Sequence, residues 1–411
     1  MYKNSYLPFY LKTSILLLSL VSFFFSLPNF LSAQTAPQIT TLQGQAGASK
    51  LGGLPRVVYG FDREFPPFSF ENPGGKATGF EVELLELLFK DRAKLFYRPL
   101  NWNMVQLELA EGKIQITSGM VETKERAKLF YFSKEPTFRT SIVAFTKVYN
   151  RIPNLTFLRG QPVAVEKGSY QQRLLEDFGG INIKLYPTKS DALFALANDD
   201  VAAYCGPRES TYFMLRKLNI TAVTTVSTPF GFTDMRFAIS KERPDLLKFV
   251  NDRMDEVVKS GEYNQLYRRW FVQELNEIEI KALIDKAKEA SLAAYAPFSN
   301  KNMGAAVLTA TGNIYIGCNV ENAQKELTLS ALQGALARTV SEKELEIRAA
   351  LMVDANGNIV TPSATDYQSF YQLNPGTLFV IEPEKNKRQT YTAAELLLNP
   401  TLPKPIDLNI E

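Results

Sequence analysis

"ITSGMVETKERAKLFYFSKEP", Ile116 to Pro136, decides how the first half of the chain folds. The run "IQITSGM" alternates apolar and polar residues as a strand does, and Thr123 suits the N-cap of a helix that follows. Amides near such a helix start favour an anion. Arg126 adds a planar fork that holds a carboxylate through two parallel hydrogen bonds. Ser118 and the backbone at Gly119 and Val121 complete a ring of donors. A lone arginine on a helix usually pairs with an acid one turn away, but the whole motif together points to a ligand.

Outward from this stretch, short apolar runs alternate with amphipathic helices. "RVVYGF", "SIVAFTK" and "PVAVEKG" read as strands, and "GFEVELLELLFKDRA" and "SDALFALAND" as helices. This alternation predicts parallel sheets covered on both faces, an α/β architecture. "RPDLLKFVNDRMDEVVKSGEYNQLYRRWF" forms a helical block ending near Phe271. A second unit opens at about Asn276 with the helix "NEIEIKALIDKAKEASLAAY". The hairpin "GAAVLTATGNIYIGC" follows, turning at Thr311-Gly312-Asn313. Then come a helix around Ser330 to Val340, the strand "RAALMVDANG", a helix from Pro362 and the strand "TLFVIE". The junction is short and charged, which predicts rigid attachment.

The chain has 411 residues, 45% hydrophobic and 22% charged, enough for two or three ordinary globular domains. A formal net charge of +3 gives no reason to expect nucleic acid as a partner. No histidine is present, so imidazole serves neither as base nor as metal ligand. Two cysteines, Cys205 and Cys318, build no disulfide framework. At the N-terminus, Lys3 and Lys12 precede the apolar "TSILLLSLVSFFFSL", and "LSAQT" offers cleavage after Ala33. Pro28 and Asn29 interrupt the run before it reaches the roughly 20 residues of a membrane span. The expectation is a signal peptide over 1–33, a flexible lead-in over 34–54, and an exported, periplasmic mature protein.

Residues 56–272 resemble the amino-acid-type periplasmic solute-binding proteins of ABC transporters. "YGFDREFPPFSFENPGGKATGFEVELLELL", the motif at Ile116 and the closing "SGEYNQLYRRWF" carry the resemblance. It implies the two-lobed periplasmic-binding-protein (type II) fold over 55–275, with lobe 1 about 55–145 and 232–275 and lobe 2 about 146–231. It also implies a ligand cleft lined by Asp62, Phe65, Trp102, Ser118, Gly119, Val121, Arg126, Ser169 and Tyr170. Phe65 would form an aromatic wall and Trp102 the opposite side. One position departs: where relatives commonly hold the α-ammonium with an aspartate, "VAAYCGPRES" places Pro207. Either Glu209 or Asp62 takes that role, or the ligand is a carboxylate without an α-amino group.

The second unit, 276–411, resembles the cytidine deaminases through "AYAPFSNKNMGAAVLTATGNIYIGCNVENA" and "TAAELLLNP", which implies a three-layer α/β/α domain. In that family a zinc ion on one Cys or His and two Cys activates water, and a glutamate shuttles protons. Here the C-A-E triplet reads Ser330-Ala331-Leu332, and P-C-x-x-C reads Pro362-Ser363-Ala364-Thr365-Asp366. Neutral hydroxyls are poor zinc ligands and Leu332 cannot accept a proton, so Ser330, Leu332, Ser363 and Asp366 are degenerate positions, and neither metal nor other cofactor is expected. Asn319 and Glu321 match residues that hold ribose in the enzymes, which leaves nucleoside binding open; the stacking aromatic is replaced by Lys301.

These features predict an exported binding protein that captures a carboxylate-bearing solute, an amino acid, for an ABC permease or a sensor. The inactive deaminase-like unit would serve assembly, as a homo-oligomer interface, or bind a second ligand. The alternative is a hydrolase with a non-standard site.

Overall fold

The computed structural model describes residues 55–397, apart from 151, 153, 226–228, 230, 385 and 386. The segments expected to form a signal peptide (1–33) and a lead-in (34–54), and the last residues of the second unit, therefore lie outside the described residues. Among the described residues no helix is long and apolar enough to cross a membrane.

The first half alternates as its sequence pattern implies: β1 (Arg56–Asp62), α1 (Phe80–Phe89), β2 (Lys94–Leu100), α2 (Trp102–Ala110), β3 (Ile116–Val121) and α3 (Lys124–Leu129). β1 runs parallel to β2 and β3. The long strand β4 (Phe138–Lys147) leads into β5 (Pro162–Glu166), α4 (Tyr170–Phe178), β6 (Asn182–Tyr186), α5 (Lys189–Ala197), β7 (Ala203–Pro207) and α6 (Arg208–Lys217). A second long strand, β8 (Gly231–Ser240), returns antiparallel to β4 and β3. The sheet order is β6-β5-β7-β4-β8-β3-β1-β2, so the parallel sets at either side meet through the two ten-residue strands β4 and β8. Separate apolar cores fill the two sides, one around Phe61, Phe80 and Phe237, the other around Val163, Leu175 and Cys205.

The helical block after β8 is two helices, α7 (Pro244–Lys259) and α8 (Glu262–Phe271). Its continuous apolar periodicity hides a break at Gly261, whose φ of 80° is a left-handed conformation that glycine adopts at little cost. α8 brings Phe271 to 4.6 Å from Phe138 and 5.1 Å from Phe80, ring centre to ring centre.

The C-terminal part folds as α9 (Glu277–Ser291), β9 (Met303–Thr309), β10 (Ile314–Cys318), α10 (Ala331–Ser341), β11 (Ile347–Asp354), α11 (Ala364–Tyr371), β12 (Leu378–Glu384) and β13 (Lys387–Thr392). Its sheet order is β10-β9-β11-β12-β13, with only β11 and β12 parallel. α9 packs into it so closely that a Cβ on Gly304 would lie 1.8 Å from the Ala287 carbonyl oxygen. Strand β13 follows a polar sequence, "KRQTYT", which carries no apolar alternation to mark it.

The described residues form one compact body. Ion pairs tie its parts together: Arg268 meets Glu395 at 2.9 Å, and Arg348 meets Glu279 at 2.6 Å. Arg208, at the start of α6, donates to the carbonyls of Leu373 and Leu345 at 3.1 and 3.3 Å.

Candidate functional site

The C-terminal ends of parallel strands face a shared crevice in open α/β sheets. Here those ends supply Asp62 (β1), Glu166 (β5) and Pro207 (β7), and helix starts supply Trp102, Ser169 and Lys189. Together they line a cleft with about 510 Å³ of unfilled space, part of it continuous with solvent. Phe65, Gly119, Val121, Arg126 and Tyr170 also line it. Ser118 does not: its hydroxyl shares a 2.6 Å hydrogen bond with the Tyr59 hydroxyl inside the core.

Arg126 enters from α3, where Thr123 caps the helix by accepting from the Arg126 amide at 3.2 Å. Its guanidinium donates to the carbonyls of Val121 and Gly168, both at 3.0 Å, and lies 5.5 Å from the Trp102 ring. Among the described residues no carboxylate pairs with it. Burial, with Arg173 nearby, lowers its pKa to about 10. A partly desolvated cation without a counter-charge is a receptor for an anion. The Gly119 amide donates to buried Glu81 at 3.1 Å rather than into the cleft. Gly119 itself sits at φ 69°, and a Cβ there would come within 2.8 Å of the Phe65 ring.

Across the cleft, the Gly168 carbonyl also accepts from the Trp102 indole at 3.1 Å and from Gln106 at 3.2 Å. Ser190 donates to Glu64 at 2.9 Å, and Arg173 meets Glu125 at 2.7 Å. These contacts join the two lobes directly, so the cleft is closed.

At the other side of the cleft, Lys189 and Glu166, which the sequence reading did not single out, join Asp62 and Phe65. Lys189, only 4% exposed, lies 2.6 Å from Asp62 and 2.8 Å from Glu166, and 4.7 Å from the centre of the Phe65 ring. Burial alone would depress this ammonium, but the two carboxylates hold it above the ordinary lysine range. One cation faces two acids, so the second acid ionises late: burial raises Glu166 to about 7 although Lys189 opposes the shift. Of the two residues considered for an ammonium partner, Asp62 faces the cleft. Glu209 instead accepts from Thr140 and lines a different cavity. The signals for Glu166 and Lys189 were their places at a strand end and a helix start, two residues before Gly168 and directly after the N-cap Thr188.

In the C-terminal part, Ser330 and Ser363 are N-caps of α10 and α11, each in a capping box. Asp366, 2% exposed, accepts from the Ser330 hydroxyl at 2.5 Å, the Ser363 hydroxyl at 2.7 Å and the Ser363 amide at 2.9 Å. One carboxylate thus spans two helix N-termini. Leu332 is fully buried in the core. Two serine hydroxyls and one carboxylate already carrying three hydrogen bonds do not fit zinc. Among the described residues no group of three or more Cys, Asp or Glu could hold a metal ion. Asn319 accepts from the Met303 amide at 2.8 Å and donates to the Lys301 carbonyl at 3.0 Å. Glu321 accepts from the amides of Phe298 and Ser299 at 2.9 and 3.1 Å. Both side chains therefore hold the 295–301 loop.

The family model of the bacterial extracellular solute-binding proteins, family 3, matches residues 57–273, just over half of the chain. The chain belongs to that family. This solute-binding protein is 28% identical over 219 residues to the L-cystine-binding protein TcyJ of Escherichia coli, covering 52% of this chain and 82% of that one. A solved ancestral arginine-binding protein bound to glutamine shares its fold with TM-score 0.50 at 27% identity, over 53% of this chain and 97% of that chain. The solute-binding protein also carries a cytidine deaminase-like domain: the cytidine and deoxycytidylate deaminase zinc-binding region matches residues 248–366. The cytidine deaminase of Sporosarcina psychrophila is 31% identical over 121 residues, 29% of this chain and 89% of that one.

Proposed function

We propose that this solute-binding protein captures a zwitterionic amino acid, with the ligand carboxylate on Arg126 and its ammonium on Glu166 and Asp62. The observation that carries this reading is a charge imbalance of opposite sign at the two ends of one cleft. Arg126 has no carboxylate partner among the described residues, and Lys189 shares one positive charge between two acids. An amino acid neutralises both ends at once. On this reading Glu166 replaces the aspartate that Pro207 displaces. The relatives named for cystine and bound to glutamine support the ligand class.

The protein is exported, its signal peptide cleaved near Ala33, and it works in a periplasm beside an ABC permease or a sensor. Its solute-binding domain spans 55–275 and its deaminase-like domain 276–411. The second domain does no deamination, because the positions of metal and proton shuttle hold Ser330, Leu332, Ser363 and Asp366. It serves assembly: Tyr295, Phe298, Leu327 and Leu329 present an exposed apolar face suited to a second copy.

The test is a thermal-shift panel of amino acids on the full chain, each paired with its analogue lacking the α-amino group. An amino acid at a hundred times its Kd should stabilise by about 2.7 kcal/mol, and the des-amino analogue far less. An equal shift with the analogue refutes the ammonium site, and an unchanged shift in Arg126→Ala refutes the cleft.

A further inference from the structure

A second and larger cavity, about 1520 Å³ of unfilled space with its solvent-open part included, lies between α6, the end of α8 and residues 371–376 of the deaminase-like domain. Its walls carry four arginines and two glutamates. Two of the arginines have strong partners: Arg348 pairs with Glu279, and Arg139 with Asp234 at 2.6 Å, though Arg139 keeps a buried Nη1 without an acceptor. Arg208 gives its hydrogen bonds to carbonyls and meets Glu346 only at 3.7 Å. Arg216, exposed at the rim, pairs with no carboxylate among the described residues. Arg208 and Arg216 are accompanied by flat apolar surface from Trp270, Phe213 and Tyr212, and of the two wall glutamates Glu209 accepts from Thr140. The Trp270 indole nitrogen is buried and has no acceptor. Arg208 and Arg216 offer guanidinium donors beside these rings, so a complementary guest supplies acceptors and a ring.

We propose that this cavity is a second ligand site, separate from the amino-acid cleft, for an organic anion bearing a planar ring. The ring lies against Trp270 and Phe213 and the acid group meets Arg216 and Arg208. Stacking and cation–π contact favour the ring, and guanidinium groups favour carboxylate or phosphate. The occupant also sits against α6, which Arg208 ties to the deaminase-like domain.

The two tryptophans of the chain report on the two cavities separately, Trp102 on the cleft and Trp270 on the junction. In Trp102→Phe, Trp270 emission is titrated with phenyl phosphate, with benzoate, with cytidine 5′-monophosphate and with inorganic phosphate. A saturable change with at least one ring-bearing anion is expected, at least tenfold weaker in Arg216→Ala, and absent with inorganic phosphate at equal concentration. Which ring-bearing anion responds distinguishes a carboxylate, a simple aryl phosphate and a nucleotide. The response must persist in Arg126→Ala; its loss there would put the anion in the cleft and overturn the proposal. A flat signal with all three ring-bearing anions overturns it, as does an equal response in Arg216→Ala or an equally strong response to inorganic phosphate. Calorimetry on the unaltered full chain repeats each titration without touching Trp102.

Discussion

Removing the carboxylate of Asp366 tests the hydrogen-bonded cluster that joins the starts of α10 and α11 in the deaminase-like domain. Asp366 accepts three hydrogen bonds, two from the hydroxyls that cap α10 and α11 and one from the Ser363 amide. Hydrogen bonds to a charged acceptor contribute about 1.5–3 kcal/mol each, against the cost of burying that charge. Asp366→Ala leaves the Ser363 amide and both hydroxyls without their acceptor and opens a small void at a buried position. The net loss should be about 2–4 kcal/mol. Urea denaturation of the full chain, followed by a probe of the C-terminal core, measures it; two transitions are allowed for, since two domains need not unfold together. Ser330→Ala combined with Asp366→Ala should be sub-additive by about 1 kcal/mol or more, because the two share one hydrogen bond across 36 residues. A loss within about 0.5 kcal/mol of zero, the ordinary range for surface substitutions, or strict additivity, would mean the carboxylate joins nothing.

The complementary experiment installs thiols: Ser330→Cys, Ser363→Cys and Asp366→Cys together should confer stoichiometric cobalt binding with thiolate charge-transfer absorption, whereas the unaltered chain should show none. Lys189→Met removes the one cation between two buried acids and should cost about 3–5 kcal/mol at pH 8, with less cost at pH 5, below the value of about 7 to which burial raises Glu166; a pH-independent loss would contradict the charge argument. Burial raises Glu81 to about 7 from 4.5. Between those values the folded chain holds a proton that the unfolded chain has released, so stability falls as pH rises through 4.5 to 7, by up to about 3 kcal/mol. Urea midpoints across that window should fall, and Glu81→Gln should lessen the slope, leaving the part that Glu166 contributes; a midpoint rising across the same window, or an unaltered slope in Glu81→Gln, would refute it.

Much of this protein is written locally. The strand–helix alternation of the first half follows from side-chain periodicity, and the helix starts at Thr123, Ser169, Asn276 and Ser330 follow from side chains that accept an amide three residues on. The departure from the zinc-ligand pattern is also a matter of residue identity, legible at Ser330, Leu332, Ser363 and Asp366 without coordinates. The site itself was only partly legible. Lys189 reaches Asp62 across 127 residues, Gly119 gives its amide to Glu81 across 38, and Ser118 turns to Tyr59 across 59. Each of these pairings depends on which strand ends the sheet order brings together, and no spacing in the sequence encodes that. So residue types along the chain specified which groups were available for binding, while the fold decided which of them meet one another and which remain open to a ligand: a donor or charge that finds a partner in the core is no longer available in the cleft.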